Sequence, residues 1–182
     1  SIAVIGLGYV GLPLAVEFAN QKHCCVTAST VNHKVLGFDI NSTRISQLKK
    51  GIDISKETNK EDLDKAKLLL FSEDNASLPN YDVYLVSVPT PIDQCLKPDL
   101  SMLLGACNLV GSALKARDNS VCCTTPVVIF ESTVYPGVTE EVCIPRIEEV
   151  SGFSLNVDFF CGYSPERINP GDKAHRLTSI VK

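Results

Sequence analysis

The sequence predicts an α/β fold, a doubly wound and mainly parallel sheet with helices on both faces. Three observations predict it. Short apolar runs alternate with segments of helical character along the chain. A glycine-spaced turn, Gly6-Leu7-Gly8-Tyr9-Val10-Gly11, joins the first run to the first helix. An acidic residue, Asp39, closes the second run. Strands separated by helices call for parallel pairing through right-handed crossovers.

Residues 2–5 are apolar and read as a short buried strand; residues 12–18 continue as an apolar helix. Between them, Gly6 allows the tight turn, Gly8 lets backbone approach a pyrophosphate, and Gly11 lets helix pack on sheet. The free N–H groups of the helix start favour phosphate. This placement, strand then glycines then helix, marks a Rossmann-type dinucleotide turn. Residues 34–38 form the second strand, and Asn41 or Ser42 caps a helix running through Lys50 and stopped by Gly51. A charged helix spans residues 61–67 and a strand residues 68–71. Residues 81–88 read as a buried strand closed by Pro89 and Pro91. Asp99 caps a helix to about Arg117, whose apolar residues Leu100, Leu103, Leu104, Cys107, Val110 and Leu114 follow the helical period. A strand at residues 127–130, a helix at 137–150 broken or kinked at Pro145, and a strand at 157–161 complete the pattern.

Composition narrows the class. At 182 residues, 45% hydrophobic and 21% charged, the chain is an ordinary globular domain. A net charge of −4 without a basic block gives nucleic acid no footprint. No apolar run approaches the roughly 20 residues of a membrane span, and the N-terminal apolar segment enters the glycine turn too soon to read as a signal peptide. A cytoplasmic location is expected. The chain starts without Met and stops at Ile180-Val181-Lys182, in what reads as a strand, so it is expected to be a piece of a longer polypeptide.

The eight cysteines, Cys24, Cys25, Cys95, Cys107, Cys122, Cys123, Cys143 and Cys161, form no C-x-x-C pair, and the three histidines complete no zinc spacing. No metal site is expected. The thiols read as free and mostly buried, with the vicinal pairs open to oxidation or adventitious metal.

Two stretches exceed the compact pattern. The acidic residue usually follows the fingerprint by about 20 residues. Here residues 21–32 delay Asp39, and a second polar surplus, residues 118–125, precedes the strand at 127. Both fall at helix-to-strand joints, away from the ligand edge, where extra length costs little. They read as surface insertions or as a partner contact.

Ligands of doubly wound sheets bind at the carboxyl ends of strands. Asp39 is placed there to accept the adenosine ribose hydroxyls, and its charge repels a 2′-phosphate, which favours NAD over NADP. The plainer role for an Asp so placed is a helix cap. Arg44, inside the next helix, is expected to flank the adenine. Val88, Pro89 and Thr90 end the third long strand, the prolines stiffening a loop that presents the Thr90 hydroxyl. Ser132 and Thr133 follow the strand at 127–130 and offer hydroxyls to a water or the nicotinamide. Glu166 and Arg167, in a loop rich in Pro and Asn, suit an anionic, hydroxylated substrate, or form a surface ion pair.

Six ordered blocks together resemble the N-terminal domain of the UDP-glucose/GDP-mannose dehydrogenase family: GLGYVGLPLAVEF (residues 6–18), GFDIN (37–41), VPTPID (88–93), KPDLS (97–101), ESTVYPGVTEEVCIP (131–145) and GYSPERINPGDKAHRL (162–177). The last two look closest to the branch acting on UDP-N-acetylhexosamines. The resemblance implies oxidation of a sugar 6-hydroxyl to the uronic acid, with two NAD reduced, in polysaccharide biosynthesis. It implies that Gly6, Gly8, Tyr9, Val10 and Gly11 cradle the pyrophosphate, with Asp39 on the ribose and Arg44 by the adenine. It places Val88, Pro89, Thr90 and Ser132 on the nicotinamide side. Thr133 is then a holder of the catalytic water, Glu166 an acid/base or water-orienting carboxylate, and Arg167 a substrate ligand. In the family the nucleophilic Cys and the dimerisation region lie further along, so a UDP-sugar substrate and a homodimer are implied for the longer protein. This segment alone is expected to bind NAD without turnover, since the covalent step needs an activated thiolate. Two other readings stay open: a degenerate or stand-alone dinucleotide-binding module, and a two-domain hydroxyacid dehydrogenase, against which the PERINPG loop argues.

Overall fold

The computed structural model describes residues 1–24, 26–92, 96–118, 120–122 and 124–164. Six parallel strands make one sheet: β1 (Ile2–Ile5), β2 (Val35–Phe38), β3 (Leu69–Ser72), β4 (Val83–Val86), β5 (Val127–Phe130) and β6 (Phe160–Tyr163), in the order β3-β2-β1-β4-β5-β6. The order reverses between β1 and β4, which opens a crevice at the carboxyl ends of these two strands.

Alternation along the strands divides the core. Ala3 and Ile5 of β1, with Tyr84 and Val86 of β4, face α4 (Ser101–Lys115) and α5 (Ile144–Ser151) through Leu103, Cys107, Val110, Leu114 and Ile147. Ile2 and Val4, with Leu85, face α1 (Gly11–Asn20) and α2 (Ser42–Lys49) through Leu12, Ala15, Val16, Ile45 and Leu48. α3 (Lys60–Lys65) adds Leu63 to this second layer. Both sheet faces are thus covered, as a parallel sheet requires.

The expected Asn41 cap forms, accepting from the Arg44 N–H at 3.1 Å. Asp99 is not the N-cap of α4: that position is Leu100, which makes no side-chain cap bond, and Asp99 accepts from the Ser101 N–H at 2.9 Å from one residue further out. Gly51 ends α2 at φ +72°.

Most element ends differ from the sequence expectation by one or two residues, as at β3, Leu69–Ser72 rather than residues 68–71; three departures have a local cause. β4 starts at Val83, not at residue 81, because the Tyr81 carbonyl is taken by Arg117, which also bonds the Thr124 carbonyl at 2.8 Å. β6 runs from Phe160 to Tyr163 rather than over residues 157–161. The earlier residues form a turn instead, with Asp158 accepting from the Ser154 N–H at 2.9 Å and Asn156 at φ +62°. Pro145 does not break its helix. The backbone widens into a π-helical turn over Thr139–Cys143, and Pro145 falls in the first turn of α5, where its missing N–H costs nothing.

α4 and α5 approach closely at Gly111. A Cβ there would stand 2.8 Å from the Val150 Cβ and 3.2 Å from the Ile147 carbonyl oxygen. Gly111→Ala is expected to destabilise the fold by about 1–2 kcal/mol, the overpacking cost outweighing the helix-propensity gain. Gly105→Ala, on the same helix with open space at its Cβ, is expected to stabilise it by about 0.5–1 kcal/mol. Urea titration of both variants checks the contrast.

The surplus stretch after α1 folds as a small hairpin: His23 bridges Thr30, and the Cys24 N–H bonds the Ser29 carbonyl at 2.8 Å. In the second, Asp118 accepts from the Ser120 N–H at 2.9 Å. Both precede strands and so sit opposite the crevice. Cys24, Cys107, Cys122, Cys143 and Cys161 are free thiols, of which Cys107 and Cys143 are buried; Cys25, Cys95 and Cys123 lie outside the described residues. No group of metal-ligating side chains forms among the described residues, and no described helix is long and apolar enough to cross a membrane.

Candidate dinucleotide site

The β1–α1 turn is built around three glycines with three different constraints. Gly6 adopts φ +91°, a conformation open to glycine at little cost. Gly11 is a close approach: a Cβ there would lie 1.9 Å from the Gly6 carbonyl oxygen and 2.3 Å from the Ser87 hydroxyl. Gly8 meets nothing within 4 Å, so its bare backbone faces open space. α1 then begins without a side-chain cap and without an acidic residue in its first turn. Its amino end therefore keeps a partial positive charge, as an anion site requires, although the Leu12 N–H is already on the Gly8 carbonyl at 3.2 Å and Pro13 has none to offer. Tyr9 is half exposed, and Val10 is buried beneath the turn.

The ends of the neighbouring strands hold this turn. Ser87, directly after β4, donates its hydroxyl to the Gly6 carbonyl at 2.8 Å. Asp39, after β2, accepts from the Leu7 N–H at 2.8 Å and from the Asn41 N–H at 2.9 Å. Arg44 reaches back from α2 and donates Nε to the Leu7 carbonyl at 3.0 Å. Leu7, between the first two glycines, is thus held at both its N–H and its carbonyl.

Arg44 is more committed than the sequence reading expected. Its Nη1 pairs with Asp53 Oδ1 at 2.7 Å and its Nη2 donates to the Ser55 hydroxyl at 3.3 Å. Its edge is occupied by protein acceptors, and its side chain is only 14% exposed. Asp53 itself accepts from the backbone of Ser55, Glu57 and Thr58. Burial alone would raise the Asp53 carboxyl; hydrogen bonds from Ser55, Thr58 and Arg44 outweigh it and hold the group below the usual range.

On the other side of the crevice two loops strap each other. Thr90 donates its hydroxyl to the Thr133 carbonyl at 2.5 Å, and Ser132 donates its own to the Val88 carbonyl at 2.7 Å. The Thr90 proton is therefore spent on the neighbouring loop, and Ser132, 5% exposed, braces from beneath. Val88 packs on the glycine turn, its Cγ1 standing 3.1 Å from where a Gly6 Cβ would be. Thr133 is exposed at the loop surface, while Glu131 is buried.

The fold thus brings Gly6 to Gly11, Asp39, Arg44, Val88 to Thr90, Ser132 and Thr133 to one sheet edge. Glu166 and Arg167 lie outside the described residues. Sequence reasoning missed Ser87 and Asp53. Ser87 carried no motif of its own. For Asp53 the one available signal was an Asp two residues before a Ser, the pattern of an Asx turn.

Comparison with known proteins agrees with this geometry. Residues 1–181 match the model of the UDP-glucose/GDP-mannose dehydrogenase family, NAD binding domain. The chain is 47% identical over its whole length to the UDP-N-acetyl-D-glucosamine 6-dehydrogenase of Salmonella typhi, and 49% identical to that of Pseudomonas aeruginosa. It spans 38% of the length of each. Among solved structures, the NDP-N-acetyl-D-galactosaminuronic acid dehydrogenase of Methanosarcina mazei superposes over 97% of this chain and 36% of its own, with a TM-score of 0.78 and 30% identity. The three glycines meet the fit NAD demands: an open backbone at Gly8, a closed one at Gly11 and an uncapped helix start. The chain belongs to the UDP-glucose/GDP-mannose dehydrogenase family, whose NAD binding domain it forms.

Proposed function

We propose that this domain serves a UDP-N-acetylhexosamine 6-dehydrogenase, which carries the sugar C6 primary alcohol to the carboxylic acid. The observation that carries the reading is near-50% identity along the whole chain to two relatives named UDP-N-acetyl-D-glucosamine 6-dehydrogenase. NAD, when bound, would supply the hydride acceptor, and two NAD would account for the four electrons that the alcohol gives up on reaching the acid.

This chain's own residues bind and orient. Gly8 and the amino end of α1 receive the pyrophosphate, with Tyr9 and Val10 completing the turn. Asp39 accepts the adenosine ribose hydroxyls through lone pairs that Leu7 and Asn41 leave free. The strapped loops at Val88 to Thr90 and at Ser132 and Thr133 wall the nicotinamide side, and the exposed Thr133 hydroxyl holds the water of the acid-forming step. Glu166 orients that water, and Arg167 meets the anionic substrate.

The thiol for the covalent step is assigned to a later domain of the longer protein, not to this chain's cysteines. Cys143 is buried in the core. A hydrogen bond with Cys143, together with burial, pushes the Cys107 thiol far up, and burial takes Cys161 up to about 12. Neither supplies a thiolate at neutral pH. Residues 1–182 are accordingly read as the cofactor domain of a longer cytoplasmic protein that pairs as a homodimer through its downstream region.

The test follows NADH at 340 nm with the full-length protein. Two NADH per UDP-N-acetylhexosamine are expected. Turnover of UDP-glucose in preference to the N-acetylated sugars would contradict the substrate assignment.

A further inference from the structure

We infer that Asp53 is a positioning residue for the adenosine half of the cofactor, acting through Arg44 on the carbonyl of Leu7. The inference rests on NAD occupying this crevice and adds a residue to its machinery.

Arg44 stands in the first turn of α2, whose amino end carries partial positive charge and which has no acidic residue in that turn. A cation there is disfavoured unless something else holds it. Asp53 does so, at 2.7 Å and with its own side chain only 1% exposed. The carboxylate is in turn fixed by the loop after α2. Its Oδ2 receives the Glu57 and Thr58 N–H groups, each at 3.0 Å. Its Oδ1 receives the Ser55 N–H at 3.1 Å and the Ser55 hydroxyl at 2.6 Å. The loop turns through positive φ at Gly51 and Lys56, and the four bonds to Asp53 tie it together.

The consequence reaches the phosphate turn. Arg44 Nε holds the Leu7 carbonyl, and Asp39 holds the Leu7 N–H. With both groups fixed, the peptide units either side of Leu7 have one orientation, and Gly8 presents its backbone without a reorganisation cost on binding. A guanidinium released from Asp53 keeps only the Leu7 carbonyl and the Ser55 hydroxyl, and without the ion pair these contacts hold a long side chain less well against its rotamer entropy.

The experiment is calorimetric titration of the full-length protein with NAD and with ADP, which carries only the adenosine diphosphate half. Asp53→Asn is expected to weaken both by about tenfold, the loss of one charge-assisted bond. Arg44→Gln should do the same, and the double variant should bind no worse than either single one, since both changes cut one chain of contacts. Affinities within twofold of the wild type in Asp53→Asn would overturn the assignment; so would additive losses in the double variant, or a lowered thermal midpoint with ADP affinity unchanged. If Asp53→Asn does not fold, Ser55→Ala decides. Ser55 is exposed and bridges Asp53 to Arg44, so about threefold weaker ADP binding is expected from the loss of one neutral hydrogen bond, and unchanged binding overturns the inference. A wild-type protein that is folded but binds neither NAD nor ADP would overturn the cofactor reading itself, an outcome distinct from the others.

Discussion

Gly11→Ala is expected to lower NAD affinity by about 100-fold or more, equivalent to roughly 2.7 kcal/mol of binding free energy, and to destabilise the fold as well. The new methyl would lie 1.9 Å from the Gly6 carbonyl oxygen. That contact is backbone against backbone, so no flexible side chain can yield. α1 must move outward, carrying its amino end away from the pyrophosphate, and the overpacking costs about 1–3 kcal/mol of stability. Gly8→Ala separates the two effects. Its Cβ meets no protein atom within 4 Å, so the thermal midpoint should stay put while NAD affinity falls, because the methyl occupies the space of the phosphates. Calorimetric titration paired with thermal unfolding reads both quantities. A Gly8→Ala variant that kept wild-type affinity would show that the phosphates lie elsewhere.

Asp39→Ala carries the second large effect. The carboxylate has two tasks: under the proposed function it offers lone pairs to the ribose, and within the fold it accepts the Leu7 and Asn41 N–H groups. Losing the first removes charge-assisted hydrogen bonds worth about 1.5–3 kcal/mol in all, or about 10- to 100-fold in NAD affinity. NADP should be affected less, since removal of the negative charge also removes its repulsion of the 2′-phosphate. Losing the second loosens the glycine turn and lowers affinity for both cofactors. The expected signature is thus a larger loss for NAD than for NADP, on a shared lower baseline. Equal losses would show that Asp39 supports the turn without touching the ribose.

Much of this fold was legible because parallel strands, buried on both faces, read as short apolar runs. The glycine turn was legible for a different reason: Gly6 meets a backbone conformation and Gly11 a close approach that other residues meet only at a cost, while Gly8 leaves space open. Boundaries were harder. Residues 157–159 are apolar or polar in a strand-like order, yet the Asp158 carboxylate captures the Ser154 N–H and the turn wins. Pro145 read as a helix breaker because the π-helical turn before it leaves no mark in composition. In the site, residues at the strand ends were placed correctly at the carboxyl edge, while their hydrogen bonds were not foreseen. Thr90 and Ser132 spend their hydroxyl protons on opposing loops. Arg44 spends its edge on Asp53 and on a backbone carbonyl. Such pairings join residues far apart in sequence, and spacing alone carries no trace of them.

Under the proposed function, the crevice between the ends of β1 and β4 takes NAD and Asp39 reads the ribose. Parallel calorimetric titrations of the wild-type protein with NAD and NADP test it most directly. One NAD per chain is expected, with NADP at least about tenfold weaker, the least that a half-buried carboxylate facing a phosphate should impose. Equal affinity for the two, or no heat with NAD from a folded protein, would contradict it.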